Sequence, residues 1–114
     1  MHELKTLREV CDLLGVSRRA VQGYEKVGLV EPSGRNKYGY LLYDCRAVDT
    51  IRRIKQFQSF GFQIKEIREL KNLPKGIVRE ELQKKIVILE TRRKVLDETI
   101  IDAKALLEKL DSSK

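Results

Sequence analysis

The chain has 114 residues, enough for one small domain and a long helix but too few for a large buried enzyme cleft. Lys and Arg outnumber Asp and Glu by 24 to 17, and the resulting net charge of +7 favours a polyanionic partner such as nucleic acid. No apolar run is long enough to span a membrane and no signal-peptide pattern is present, so we expect no membrane partner.

Cysteine and histidine usage argues against metal and catalytic sites. Cys11 and Cys45 lie far apart without a CxxC motif, which fits reduced thiols in a cytoplasmic protein. A single histidine argues against a metal or catalytic site built on histidine, and no carboxylate pair, nucleophile–base set or Gly-rich phosphate loop is present. We therefore expect no enzyme activity, no metal and no cofactor.

The first predicted helix covers residues 4–14. Thr6, with Glu9 three residues later, is typical of a capping box. Gly15 can adopt the positive φ that ends a helix. The apolar stripe that we expect to face the core consists of Leu7, Val10, Cys11 and Leu14.

A second short helix follows after a tight turn. Ser17 is a good N-cap, and Gly28 is expected to end the helix after Val27. Val21 and Tyr24 lie three residues apart and can face inward. The polar residues that project elsewhere are Arg18, Arg19, Gln22 and Lys26.

The two helices and their turn predict a helix-turn-helix whose second helix recognises DNA. Arg pairs with guanine edges and Gln with adenine, and both also bind phosphates. A helix that opens with Arg18 and Arg19 and continues with Gln22 therefore suits a DNA major groove. The alternative is a solvated basic helix face.

Residues 30–43 predict a two-stranded hairpin. Pro, Gly and Asn residues favour turns here, and the run from Tyr40 to Tyr43 has strand preference. The tip carries Arg35, Lys37 and Tyr38, which suits a wing that contacts phosphates. An ordinary solvated hairpin is the alternative.

Two further helices are expected next. Asp44 caps a third helix that runs to about Phe60, and Gly61 separates it from a short fourth helix. Cys45 lies in the first turn, where the helix dipole can lower a thiol pKa, although an inert thiol is the alternative. The predicted core residues of these helices are Val48, Ile51, Ile54, Phe57, Phe60, Ile64, Ile67 and Leu70.

Residues 77–111 contain no Gly or Pro and predict one long helix after a linker at 72–76. At ~1.5 Å per residue it extends about 50 Å, too long to lie wholly on a domain of about 75 residues. Its apolar spacing alternates between four and three, as in a coiled coil, although a helix folded back on its own domain is the alternative. The expected homodimer seam consists of Leu82, Ile86, Leu89, Arg93, Leu96, Ile100, Ala103, Leu107 and Leu110.

The order of several short motifs resembles the MerR family of bacterial transcription regulators over about residues 5–75. The long helix agrees with the family's dimerisation helix. The resemblance implies a winged helix-turn-helix, a helix pair serving as a second wing, and an antiparallel coiled coil. It also implies binding to pseudo-palindromic promoter DNA, which many members bend and untwist for RNA polymerase. The motifs are Gly15-Val16-Ser17 with Arg19, Tyr24-Glu25-Lys26, Gly28-Leu29, Gly39-Tyr40 with Tyr43, Gly61-Phe62 and Glu66-Ile67.

Residue by residue, the resemblance implies that Arg19 and Tyr24 contact DNA from the recognition helix and that Tyr40 contacts the DNA backbone from the wing. The pair Gln22-Gly23 departs from the Arg-Tyr pair often found there, so the target sequence cannot be taken from a relative. Leu41 stands where the family often has Arg, which removes a phosphate contact.

The resemblance also bears on ligands. Metal-sensing members use cysteines near the start and just past the end of the dimerisation helix, and residues 76–114 contain none. The sequence stops where the effector domain of the family would begin, which leaves three alternatives: a regulator that works without a ligand, a fragment of a longer protein, or regulation by a partner protein. We therefore expect neither metal sensing nor a small-molecule ligand.

The expected fold is mostly α, with a winged helix-turn-helix DNA-binding domain and its β-hairpin wing at residues 1–75 and a coiled-coil helix at 76–114. The expected function is sequence-specific transcription regulation by a homodimer on double-stranded promoter DNA. Two alternatives are an architectural DNA-bending protein of the excisionase type and a coiled-coil interaction module. The expected DNA-binding residues are Ser17, Arg18, Arg19, Gln22, Tyr24, Lys26, Arg35, Lys37, Tyr38 and Tyr40.

Overall fold

Five helices and three short strands make up the chain between residues 3 and 113, the part that the computed structural model describes. His2, the single histidine, lies outside this part. The mostly helical fold with a small sheet and a long last helix confirms the predicted fold class. In chain order the elements are β1 (Lys5–Thr6), α1 (Leu7–Leu14), α2 (Arg18–Lys26), β2 (Gly34–Arg35), β3 (Leu41–Tyr43), α3 (Cys45–Ser59), α4 (Ile64–Leu70) and α5 (Lys75–Ser112).

The predicted capping box begins α1. The Thr6 hydroxyl accepts a hydrogen bond from the Glu9 backbone N–H at 3.2 Å, and the Glu9 carboxylate accepts one from the Thr6 N–H at 3.0 Å. The hydrogen bonds with Thr6 hold the pKa of Glu9 below its ordinary value. At the other end, Gly15 takes a φ of +63°, which a residue with a Cβ rarely adopts.

The predicted cap of α3 is also present. The Asp44 carboxylate accepts a hydrogen bond from the Ala47 N–H at 2.9 Å, which is the main reason that its pKa lies below the ordinary value. The Asp44 N–H donates to the Ser33 hydroxyl at 2.9 Å and so ties the helix start to the preceding loop. The helix ends at Ser59, one residue before the predicted end.

The sheet contains the predicted hairpin and one strand that was not predicted. β2 and β3 pair antiparallel, with Gly34 opposite Leu42. β1 pairs antiparallel with the other edge of β3, with Thr6 opposite Leu42, so that the strand order is β1-β3-β2. The third strand joins the start of α1 directly to the wing.

Helices α1 to α4 and strand β3 surround one apolar core. The predicted stripes supply much of it, although several members at the ends of the stripes are half-buried. The ring of Phe57 lies 5.4 Å from that of Phe62, which is itself buried. The buried residues are Val10, Val21, Tyr24, Leu29, Val30, Tyr43, Ala47, Val48, Ile51, Ile54, Phe62, Ile67 and Leu70, and the half-buried stripe members are Leu7, Cys11, Leu14, Phe57, Phe60 and Ile64.

The chain divides into two units, residues 1–73 and residues 74–114. The second unit consists of α5, which has 38 residues and therefore extends ~57 Å at ~1.5 Å per residue. It begins at Lys75, two residues earlier than predicted, because Pro74 takes the N-cap position and suits the start of a helix. Within residues 3–113, no helix combines the length and the apolar content needed to cross a membrane.

Candidate nucleic-acid interface

The turn before α2 is held by hydrogen bonds from both sides. The Ser17 hydroxyl accepts a hydrogen bond from the Ala20 N–H at 3.0 Å and so caps α2 as predicted. The Lys55 ammonium group donates to the carbonyl oxygens of Leu14 and Gly15 at 2.5 and 3.0 Å. These bonds satisfy the last carbonyl groups of α1 and fix the angle at which α2 leaves the turn.

One face of α2 carries its polar side chains into solvent. The residues predicted to project from this helix are all exposed, so the helix presents a continuous basic and hydrogen-bonding surface. Arg supplies a planar fork of donors that matches guanine edges and phosphate oxygens. The exposed residues of this surface, here called the reading face, are Ser17, Arg18, Arg19, Gln22 and Lys26.

Tyr24 does not lie on the reading face. Its ring is 2% exposed, and its hydroxyl donates to the Gln58 side-chain carbonyl at 2.6 Å. The prediction that Val21 and Tyr24 face inward is confirmed, and the burial of Tyr24 argues against the DNA contact that the resemblance implies for it. Three-residue spacing places Tyr24 beneath the helix beside Val21, where the ring fills the core and leaves no surface for a ligand.

A second buried tyrosine fixes the helix to the sheet. The hydroxyl of Tyr43, on β3, donates to the Glu25 carboxylate on α2. Burial and this hydrogen bond raise the pKa of Tyr43 well above its ordinary value, because both disfavour the phenolate. Tyr24 and Tyr43 therefore hold the back of α2 against α3 and the sheet.

The wing turn is organised by Asn36. Its side-chain oxygen accepts hydrogen bonds from the N–H groups of Tyr38 and Tyr40 at 2.9 and 3.1 Å. Gly39 takes a φ of +83°, and the Arg35 guanidinium donates to the Gly39 carbonyl at 2.7 Å. These hydrogen bonds define the conformation of the turn. Arg35 helps to hold the turn through its bond to Gly39, and its side chain is still exposed.

The tip of the wing presents aromatic and basic groups together. Tyr38 and Tyr40 are 71% and 64% exposed, which is unusual for large aromatic side chains without a partner. The Lys37 ammonium lies 5.1 Å from the centre of the Tyr38 ring. Lys37, Tyr38 and Tyr40 can thus reach phosphates or sugars, whereas the strands behind them only position the turn.

Sequence reasoning missed the hydrogen bonds of Lys55 and Gln58, and it placed Asn36 in a turn without predicting its two side-chain hydrogen bonds. Lys55 and Gln58 act across 40 and 34 residues, and no local pattern signals such contacts. Asn36 carried a usable signal, since Asn is favoured where a side chain must hydrogen-bond to the backbone of a turn.

The predicted seam lies along α5, and none of the described residues of this helix is buried. Six large apolar residues of the seam are at least 38% exposed, and they recur along 25 residues of the helix. A continuous apolar stripe of this kind marks an interaction surface. The six are Ile86, Leu89, Leu96, Ile100, Leu107 and Leu110; Arg93 and Ala103 are also exposed, and Leu82 is half-buried.

The cysteines and acidic residues show no built metal site. Neither cysteine forms a disulfide, and burial raises the pKa of the Cys11 thiol. Cys45 is exposed at the start of α3. Between residues 3 and 113, no group of three His, Cys, Asp or Glu side chains is placed to hold a metal ion.

Comparison with known families and proteins agrees with this geometry. A family described as MerR HTH family regulatory protein matches residues 5–73, and one described as MerR, DNA binding matches residues 48–112. The HTH-type transcriptional activator mta of Bacillus subtilis is 30% identical over 94 residues, which cover 82% of this chain and 37% of that protein. The chain thus spans well under half the length of this curated relative.

Solved structures share the fold. The N-terminal part of the Bacillus subtilis multidrug transporter activator, MtaN, has a TM-score of 0.67 at 28% identity, covering 90% of this chain and 97% of that chain. A MerR family regulator from Bacillus cereus has a TM-score of 0.77 at 17% identity, covering 98% and 86% of the two chains. Since the first family match spans more than half of the sequence, the chain belongs to the MerR family of helix-turn-helix regulatory proteins.

Proposed function

We propose that the chain is a sequence-specific DNA-binding transcription regulator and not an enzyme. The observation that carries this proposal is the reading face, whose polar side chains are exposed while the two tyrosines behind it are buried and hydrogen-bonded. A rigidly held basic helix beside an aromatic and basic wing tip suits a major groove and its flanking phosphates. The Bacillus subtilis relative is named a transcriptional activator, which supports the same function here.

The side chains divide into two groups by the contacts they can make. We assign Arg18, Arg19 and Gln22 to base edges or the nearest phosphates, with Ser17 and Lys26 at the margins of the reading face. The wing residues bind the DNA backbone and carry little sequence information. These are Arg35, Lys37, Tyr38 and Tyr40.

The proposed active form is a homodimer joined through the α5 seam, with residues 1–75 binding DNA and residues 76–114 dimerising. Two copies related by a two-fold axis read two half-sites, which explains why a pseudo-palindrome is the expected target. The proposed further partner is RNA polymerase at the bound promoter. The proposed location is the cytoplasm.

Selection of the purified protein on random duplex DNA, followed by binding of the selected sequences at two salt concentrations, tests this function. We expect enrichment of a pseudo-palindrome whose half-site spacing matches the dimer. Enrichment of no sequence, with salt-dependent binding retained, would instead support an architectural DNA-bending protein. A complete lack of DNA binding would leave α5 as the functional part.

Variants of the selected complex then test the residue assignments. Arg19→Ala is expected to cost ~1–3 kcal/mol and to relax the preference at one base position. Lys37→Ala should weaken binding to all sequences alike. Lys94→Ala, an exposed α5 position outside the seam, removes one positive charge as a control. An Arg19→Ala protein that binds like this control would show that the reading face is assigned wrongly.

A further inference from the structure

A groove of about 490 Å³ lies where the first turn of α1, the first residue of α2 and the end of the wing turn meet. Its lining is unusual in charge, because it includes two arginines and a tyrosine but no acidic residue. The lining residues are Thr6, Leu7, Arg8, Arg18, Gly39, Tyr40 and Leu41.

The unpredicted strand β1 is what brings Arg8 to this groove. The register of β1 and β3 sets Thr6 opposite Leu42. Arg8 follows Thr6 by two residues and Leu41 precedes Leu42 by one, so the start of α1 lies beside the start of β3. A residue of the first helix thereby becomes a neighbour of the wing.

We propose that Arg8 binds a DNA backbone phosphate in this groove and supplies the positive charge that Leu41 does not. This inference rests on the proposed function, since it adds a contact to the same DNA-binding surface. Leu41 stands where the family often has an arginine, and Arg8 lines the same groove as Leu41.

The state of the Arg8 side chain favours a ligand over a structural role. Arg8 is exposed, and within residues 3–113 its guanidinium has no hydrogen-bond or ion-pair partner. Guanidinium groups bind phosphate oxygens through two parallel N–H donors, and an exposed arginine without a partner has these donors available. Arg18 and Tyr40, on the neighbouring walls, can donate to the same phosphate.

The position of the groove indicates which phosphate would bind there. Arg18 is the first residue of α2 and belongs to the reading face, and Tyr40 belongs to the wing tip. The groove therefore lies between the two parts of the proposed DNA surface. A phosphate bound there belongs to the strand that runs between the recognition helix and the wing.

Fluorescence anisotropy on the selected duplex, at several KCl concentrations, tests the proposal with the full chain. Arg8→Ala removes one phosphate contact per subunit, which should lower the salt slope, d log Kobs/d log[KCl], by ~1.8 in magnitude for a dimer. The same relation gives a loss in affinity of about 8-fold per contact at ~0.1 M salt, hence on the order of 50-fold for two. Arg8→Lys should retain most of the slope and recover part of the affinity.

The double variant Arg8→Ala/Leu41→Arg tests whether side chains at the two positions contact the same phosphate. We expect Leu41→Arg to restore affinity and slope in the Arg8→Ala protein and to add much less to the wild type. Equal gains in both backgrounds would show two independent sites and would overturn the proposal. Circular dichroism establishes that each variant is folded, and Arg8→Lys tests the assignment should Leu41→Arg not fold.

The control is Lys94→Ala, which lowers the net charge by the same amount without altering the groove. An Arg8→Ala protein with the affinity and slope of this control would overturn the Arg8 assignment while leaving the proposed function in place. Wild-type protein that binds no duplex would overturn the proposed function itself. Inorganic phosphate added at constant ionic strength should compete weakly; tight binding of free phosphate that depends on Arg8 would identify an anion site rather than a DNA contact.

Discussion

At the scale of single residues, the hydrogen bond from Tyr43 to Glu25 joins the sheet to the recognition helix. Tyr43→Phe removes the hydroxyl and leaves the carboxylate with one donor fewer, so we expect the free energy of unfolding to fall by ~1–2 kcal/mol. Tyr40→Phe removes the same group from a residue that is 64% exposed and should change it by less than ~0.5 kcal/mol. Urea denaturation at pH 7 compares the two, and equal stabilities would show that the buried bond contributes nothing net.

The same tyrosine predicts how stability depends on pH. Its folded-state pKa is raised above the ordinary value of 10.0, chiefly by burial and then by the bond to Glu25, and burial also raises the pKa of Tyr24. Below about pH 10 the phenol is protonated in both states and its contribution is fully present. At higher pH the unfolded chain releases the proton while the folded chain keeps it.

We therefore expect the free energy of unfolding to decrease above about pH 10, with a contribution from Tyr43 that approaches ~1.4 kcal/mol per pH unit. Urea denaturation between pH 8 and 11 measures this slope. The Tyr43→Phe protein should lose stability less steeply than the wild type over that range. An unchanged slope would assign the alkaline loss to other groups.

At the scale of secondary-structure elements, two glycines of the recognition helix region have opposite effects. Gly23 lies inside α2, and a Cβ added there would meet no atom within 4 Å. Gly28 follows the helix with a φ of +80°, again with open space around it. Because neither position is crowded, substitution at each reports on backbone conformation alone.

Gly23→Ala should raise the free energy of unfolding by ~0.5–1 kcal/mol, since alanine is the better helix former and restricts the unfolded chain. Gly28→Ala should lower it by ~1–2 kcal/mol, because an alanine side chain is strained at positive φ. Thermal unfolding of both proteins beside the wild type measures the difference. A change of the same sign in both variants would contradict the assigned helix end.

The elements that could be predicted are those whose signals are local. Thr6 with Glu9, Ser17 and Asp44 cap helices through bonds that span three residues, so the sequence pattern is enough to locate them. β1 was missed because it has two residues and pairs with a strand far along the chain. The same non-local pairing brings Arg8 to the wing, which is why no motif pointed to it.

In the candidate site, too, local sequence patterns located some residues, while contacts between distant parts of the chain could not be predicted. The exposed arginines of α2 could be predicted from helical spacing, whereas the place of Tyr24 was decided by the core. A resemblance to a family supplied a DNA contact for Tyr24, but the ring is 2% exposed. The bonds from Lys55 and Gln58 depend on how α3 packs, which a single sequence does not specify.

At the scale of the whole molecule, the proposed function depends on the exposed apolar residues of α5. Residues 3–73 bury a core of their own, while α5 has an apolar stripe and no buried residue among those described. Covering a large apolar side chain stabilises an association by ~1.5–3 kcal/mol, so several such residues on each helix suffice for a stable dimer. Arg93 interrupts the stripe and can specify its register at some cost in stability.

Leu96→Glu tests this arrangement most directly. Leu96 is 60% exposed near the middle of the seam, and a two-fold dimer would contain the new carboxylate twice. We expect the dimer dissociation constant to rise at least ~100-fold, because two buried leucines are lost and two charges lose water. Sedimentation equilibrium at micromolar protein measures this change. Lys94→Glu introduces the same residue outside the seam and should leave the dimer intact.

The two variants also separate dimerisation from DNA reading. The Leu96→Glu monomer retains its reading face, so its affinity for one half-site should equal that of the wild type, while its affinity for the full pseudo-palindrome should fall to the half-site value. A Leu96→Glu protein that remains dimeric would place the interface elsewhere on α5. The next residues to substitute would then be the other exposed apolar residues of α5, which are Ile77, Val87, Ile88, Val95, Ile101 and Leu106.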